Sequence, residues 1–136
     1  MSIDPELVRQ VKELKMDFKD KPQPELLIRI SNNNKDVNFE VETVTAEFTS
    51  LCPLNLFQPD YATISLKYKP DAWLVELKSL KFYFTSYRMC PVFHEDVPAM
   101  IMKDLIKLLT PREMEVTGYF TIRGGIKTTV KAEYHR

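Results

Sequence analysis

Apolar positions along this chain switch between two periods, and the switches divide it into elements. Residues 4–18 read "DPELVRQVKELKMDF". Leu7, Val8, Val11, Leu14 and Phe18 recur on one helical face, Asp4 is placed to cap it, and Pro5 suits its first turn. The "KDKPQP" that follows breaks a helix. "ELLIRIS" (25–31) then reads as a strand and "NNNKD" as a turn. Over 36–48, Val37, Phe39 and Val41 alternate with polar neighbours. The phase shifts near Val44, which predicts a bulge or bend within that strand.

"YATISLKYK" (61–69) alternates through Ala62, Ile64, Leu66 and Tyr68; "KPDA" (69–72) predicts a turn and "WLVEL" (73–77) a short strand. A helical period then returns. Within 79–89, Leu80, Phe84 and Tyr87 share a face, and after "HEDVP" the residues Val97, Ile101, Leu105 and Leu108 follow at spacings of four, four and three. Asp96 is a cap for this helix and Pro98 fits its first turn. Two last strands, "EVTGYFTI" and "IKTTVKAEY", flank "RGG" (123–125), whose glycines suit a tight hairpin. The order predicts one α+β domain over 1–136, antiparallel where neighbours are sequential, with an N-terminal helix in 1–20 and the core in 25–136. Well-patterned strands in a chain of this size leave open edges, which oligomerisation would cover.

Composition narrows the class. A hydrophobic fraction of 44% excludes a disordered or fibrous chain, and 19 Lys and Arg against 19 Asp and Glu leave no net field toward nucleic acid or anionic lipid. No apolar stretch approaches the ~20 residues that span a bilayer, and "MSIDPELVRQ" has no basic-then-apolar leader. Two cysteines make no disulfide scaffold, so a reduced, cytoplasmic setting is the expectation. The three glycines exclude a GxGxxG fingerprint and a phosphate-binding loop. Any nucleotide must therefore be held by side chains.

Several positions carry candidate chemistry. Cys52 follows a strand-like run and precedes Pro53, with Asp60 eight positions on. Such a thiol is either a small buried hydrophobe or a nucleophile with an acid brought near by the chain reversal. Cys90 and His94 are four apart, as zinc ligands are in some sites, but no CxxC accompanies them and no metal site is assigned. Lys78 and Lys81, three apart at a helix start, are either a solvated face or a phosphate grip. "FHED" (93–96) gathers His94, Glu95 and Asp96 at a helix N-terminus, where Glu95 could accept from a purine-like amidine edge.

Taken in order, "EFTSLCP…QPDYATI", "ELKSLKFYFTSYR", "FHED" and "FTIRGG" resemble the blocks of the single-domain 7-cyano-7-deazaguanine reductases, NADPH-dependent nitrile reductases of queuosine biosynthesis, over about residues 46–126. The resemblance implies the tunnelling fold that GTP cyclohydrolase also uses: antiparallel strands joined into a barrel, two helices outside, subunits in rings, and active sites between subunits. It further implies a decamer of two pentamers. Cys52 would attack the nitrile to give a covalent thioimide, Asp60 would donate protons, and two NADPH would supply hydrides. Val75, Glu76, Leu77, His94 and Glu95 would hold the 7-deazapurine, and Lys78, Lys81 and Arg123 the cofactor. Neither a membrane nor a direct nucleic-acid partner is expected.

The "PLNLFQP" between Cys52 and Asp60 departs from the family pattern by one extra residue and by lacking the glycine before "QPD". Three other functions compete on the same residues. They are an amidinotransferase acting on nitrile-modified tRNA, a zinc-dependent pterin or purine hydrolase using Cys90 and His94, and a non-catalytic purine-binding module.

Overall fold

The computed structural model describes residues 3–136. Helix α1 (Pro5–Lys12) starts where Asp4 accepts the Glu6 N–H at 2.9 Å, and it buries none of its residues. It ends at Lys12, short of the predicted 18: without a core beneath it, the apolar stripe has nothing to hold the later turns. The expected strand at 25–31 divides into a 3-10 turn over Pro24–Leu26, which Pro24 initiates, and a short β1 (Arg29–Ser31).

Strands β2 (Val41–Leu51) and β3 (Pro59–Lys69) pair antiparallel, followed by β4 (Trp73–Val75), α2 (Leu77–Thr85), α3 (Val97–Leu109), β5 (Glu113–Phe120) and β6 (Thr129–His135). One sheet has the order β2-β3-β5-β6 and a second, two-stranded one joins β1 to β4. The register of β2 on β3 slips between Thr45 and Phe48, so two residues of β2, Ala46 and Glu47, face one of β3, Thr63. This is the bulge the phase shift predicts. Its effect is to move the core-facing parity of β2 from Val41, Thr43 and Thr45 to Phe48 and Ser50.

The core lies between the main sheet and the helices. Ala62, Ile64, Leu66 and Tyr68 of β3 and Met114, Val116 and Phe120 of β5 meet Leu80, Tyr83 and Phe84 of α2 and Val97, Ile101, Leu105 and Leu109 of α3. On α3 the buried residue of the last turn is Leu109, with Leu108 only half-buried. The other sheet face is polar and carries the pairs Lys67–Glu42 (3.5 Å), Lys69–Glu113 (3.3 Å) and Lys131–Glu115 (3.6 Å). Asp96 precedes α3 without a side-chain capping bond. Gly124 and Gly125 adopt φ of 56° and 77°, and the Arg123–Ile126 bridge closes the hairpin. Among the described residues no helix is long and apolar enough to cross a membrane.

Candidate active site

The end of the sheet where β2 finishes and β3 begins gathers most of the chemistry. Beyond the last strand pair, Leu51–Pro59, the Cys52 N–H donates to the Gln58 carbonyl at 3.1 Å, so the ladder continues one step past the strand and sets Cys52 opposite Gln58. The intervening loop closes on itself, with the Gln58 N–H on the Asn55 carbonyl (2.9 Å). Its additional length is taken up outward, leaving Leu54 and Phe57 85% and 97% exposed. The longer loop therefore leaves the pairing of Cys52 with Gln58 intact.

Asp60 stands on β3 facing inward, 5% exposed. Three side-chain nitrogens surround its carboxylate: Gln58 Nε2 donates to Oδ1 at 3.3 Å, Arg123 Nη2 stands 3.6 Å from Oδ1, and His94 Nε2 stands 3.4 Å from Oδ2. Arg123 also donates to the Pro59 carbonyl. His94 reaches this corner because the segment after α2 runs parallel beside the end of β2, with Leu51 N–H on the Cys90 carbonyl (3.0 Å) and Val92 N–H on the Leu51 carbonyl (3.1 Å). The imidazole stacks on Phe120 with centroids 4.0 Å apart and planes 8° apart. Glu95, next along, is exposed.

Cys90 belongs to a different environment. Its thiol is 2% exposed and faces the Ser86 carbonyl at 3.2 Å and the Lys19 carbonyl at 3.8 Å, and burial pushes it up to about 11. Cys90 and His94 thus diverge, one toward α2 and one toward Asp60, and the described residues contain no cluster of three or more metal-ligating side chains. Cys52 and Cys90 are both free thiols.

The remaining predicted residues lie around the start of α2, with Val75 toward the far end of β3. The Tyr68 hydroxyl accepts the Val75 N–H at 3.2 Å, and Tyr68 lies eight residues along β3 from Asp60, about 26 Å at 3.3 Å per residue. Glu76 caps α2, accepting from Lys78 N–H (2.9 Å) and Ser79 N–H (2.7 Å). Leu77 is exposed. Lys78 donates to the Val11 carbonyl at 3.0 Å, whereas Lys81 lines a cleft of about 300 Å³ between α2 and β2. The two lysines do not converge on one point. Thr43, Thr45, Thr49 and Thr85 line that cleft with Arg88, over Leu77, Leu80 and Phe84. Within one chain, Arg123 sits with Asp60 and away from both lysines.

Sequence reasoning left out Gln58, Phe120 and Arg88. The "QPD" motif contains the first, but nothing in a strand pattern tells which glutamine will touch a carboxylate.

A thiol, a buried carboxyl and a stacked imidazole thus lie at one end of an antiparallel α+β sheet. The fold is shared with the crystal structure of an archaeosine synthase QueF-Like in the apo form, at a TM-score of 0.61 and 22% identity over 71% of this chain and 91% of that one. Residues 59–136 match the family model described as QueF-like protein, and the chain belongs to that family. Its relatives include proteins named NADPH-dependent 7-cyano-7-deazaguanine reductase. That from Thermomicrobium roseum is 49% identical over 81% of this chain and 85% of its own length. Those from Bacteroides thetaiotaomicron and Chloroherpeton thalassium are 47% and 43% identical, over 90% and 82% of this chain and 80% and 96% of theirs.

Proposed function

We propose that this protein reduces the nitrile of 7-cyano-7-deazaguanine to the aminomethyl group with NADPH, a step of queuosine tRNA modification. The observation that carries the reading is the meeting of Cys52, Gln58, Asp60 and His94 at one corner, in a chain 49% identical to a protein bearing that activity's name.

Cys52 attacks the nitrile carbon as thiolate. A C–S bond forms, one C–N π bond opens, and its electron pair moves to nitrogen, which takes the proton that Asp60 holds. The product of this step is a thioimide on Cys52. His94 and Arg123 keep the Asp60 carboxyl at the reacting end, and Glu95 accepts the amidine N–H groups of the purine edge. After the first reduction the nitrogen lone pair forms a C=N bond as the C–S pair returns to sulfur, which frees Cys52 and leaves an imine for the second reduction.

NADPH, when bound, supplies one hydride for each of the two reductions. The cleft beside α2 fits a phosphorylated ligand in its chemistry: Lys81 and Arg88 supply two cations against the one acid Glu47, four threonines supply hydroxyls, and the floor is apolar. At about 300 Å³ it takes part of a dinucleotide, and Lys78 together with Arg123 of a second copy meets the rest.

Val75, Glu76 and Leu77 follow the start of β4, and Val75 is bonded to Tyr68, about 26 Å along β3 from Asp60 within one chain. A second copy supplies them, which puts the complete site between subunits. Among the described residues the outer edges of β2 and β6 have no strand partner and offer the pairing that closes a tunnelling-fold ring, taken here as two stacked pentamers of single-domain subunits. A cytoplasmic enzyme acting on a small molecule, without direct nucleic-acid or membrane contact, follows from the same reading.

The test is NADPH absorbance with 7-cyano-7-deazaguanine, beside intact-protein mass spectrometry with the nitrile alone. Substrate-dependent oxidation, and an adduct lost in Cys52→Ala, is the expected pair of results. An adduct without NADPH oxidation would instead favour the amidinotransferase, and absence of any adduct would overturn the role of Cys52.

A further inference from the structure

Among the described residues, one buried side-chain polar atom has no hydrogen-bond partner: Ser50 Oγ, on a residue 0% exposed. Its position is specific. Ser50 is the cross-strand partner of Asp60, and two residues further on the same face comes Cys52, itself opposite Gln58. The four residues form a square, Ser50 of β2 and Cys52 just past its end against Asp60 of β3 and Gln58 just before its start. Directly opposed residues in a bonded antiparallel pair have Cβ atoms about 5.5 Å apart, which a serine and an aspartate bridge by side-chain rotation alone.

Two sides of the square are linked by contact. The Cys52 N–H is on the Gln58 carbonyl and Gln58 Nε2 is 3.3 Å from Asp60 Oδ1. The side between Ser50 and Asp60 has no bond. Meanwhile every contact of the Asp60 carboxylate is long, at 3.3, 3.4 and 3.6 Å, where charge-assisted bonds run to about 2.7–2.9 Å. The carboxylate is thus enclosed by donors without being clamped by any of them, and the hydroxyl directly across from it is free.

A buried hydroxyl without a partner is unfavourable in a folded protein, and alanine would fill the place at no such cost. The geometry points to Ser50 as a positioning residue: its hydroxyl bonds to Asp60 when the carboxyl turns from Arg123 and His94 toward the group held on Cys52, and so fixes the acid in the orientation that delivers its proton. This inference rests on the roles proposed above for Cys52 and Asp60. Ser50 touches neither substrate nor cofactor in it and acts through Asp60. The nitrile nitrogen receives its proton from the carboxyl, and the serine only changes partner.

Ser50→Ala separates this from a structural role. With the nitrile alone, the adduct on Cys52 forms at least tenfold more slowly in Ser50→Ala than in the native protein. In turnover with NADPH the loss falls on kcat, with the KM for the nitrile unchanged. Thermal stability is equal to or above the native value, because the substitution removes an unpartnered group. Ser50→Thr, which keeps the hydroxyl, restores part of the rate. Adduct formation in Ser50→Ala within twofold of the native rate would overturn the proposal, as would a drop in thermal stability, which would show that the hydroxyl has a structural partner. If the native protein itself forms no adduct, the role of Cys52 fails first, so the two failures are told apart in one experiment.

Discussion

Replacing Gly118 with alanine tests how the sheet interior is coupled to the candidate site. Gly118 lies on the core face of β5, two residues before Phe120. A Cβ at this position would stand 2.7 Å from Phe120 Cε2, 3.2 Å from Phe120 Cζ and 3.5 Å from Ile64 Cδ1. The first distance is impossible, so the phenyl ring has to move. That ring is 2% exposed and carries the His94 imidazole at 4.0 Å, and His94 is 3.4 Å from Asp60. One methyl group therefore displaces, in sequence, a ring, an imidazole and a partner of the acid.

Overpacking of this kind costs about 1–3 kcal/mol. With an unfolding entropy near ~2.1 cal/mol/K per residue, a chain of 136 residues loses about 3.5 °C per kcal/mol, so Tm falls by about 4–10 °C. Differential scanning calorimetry at fixed protein concentration reads this, and mass spectrometry of the Cys52 adduct reads the site, where a fall in rate is expected. Phe120→Leu removes the clashing atoms, so the double variant is less destabilised than the sum of the two single changes. Unchanged Tm and adduct rate in Gly118→Ala, or strict additivity in the double variant, would refute the coupling.

Other outcomes follow from single contacts. Tyr83→Phe removes the hydroxyl that joins Tyr87 at 2.9 Å and Asp104 Oδ2 at 2.6 Å; it leaves both short of a partner and lowers stability by about 1–3 kcal/mol, read as a shifted urea midpoint at constant m. Iodoacetamide on the folded protein at mildly alkaline pH labels Cys52 and spares Cys90, whose thiol burial pushes up from 9.0 to about 11, while both react after denaturation. The same displacement makes stability fall as pH rises from about 9 to 11, because the unfolded chain releases the Cys90 proton before the folded one; thermal melts of Cys90→Ala across that range show a smaller fall. Lys81→Ala raises the KM for NADPH about tenfold or more with the adduct rate intact, as loss of one charge-assisted bond to a phosphate requires, and steady-state kinetics at two salt concentrations checks it.

Element types were legible in the sequence because each has a periodic signature that local sterics enforce. The alternation through Ala62, Ile64, Leu66 and Tyr68 is the buried face of β3, and the shifted phase after Val44 is the bulge between Thr45 and Phe48. Cys52, Asp60, His94 and Glu95 were legible for another reason: they stand in short blocks whose order resembles a known family. Boundaries were less so. The stripe from Leu7 to Phe18 promised a helix twice the length of α1, since periodicity reports which face is apolar but not whether anything packs against it.

What tertiary structure alone decided is which of these residues meet. Lys78 and Lys81 are neighbours in the chain, yet one bonds the Val11 carbonyl and the other lines a cleft against β2. Cys90 and His94 are four residues apart, and the path of the backbone past Leu51 sends their side chains to different partners. Gln58 and Ser50 become neighbours of Asp60 only through strand register, and register is a long-range property set by a bulge and by the buried face. From sequence alone come the elements, the family and the reactive residue types. Distances, partners and the separation of Val75 from Asp60 along β3 come from the fold, because contacts between residues far apart in the chain are set by packing and not by local preference.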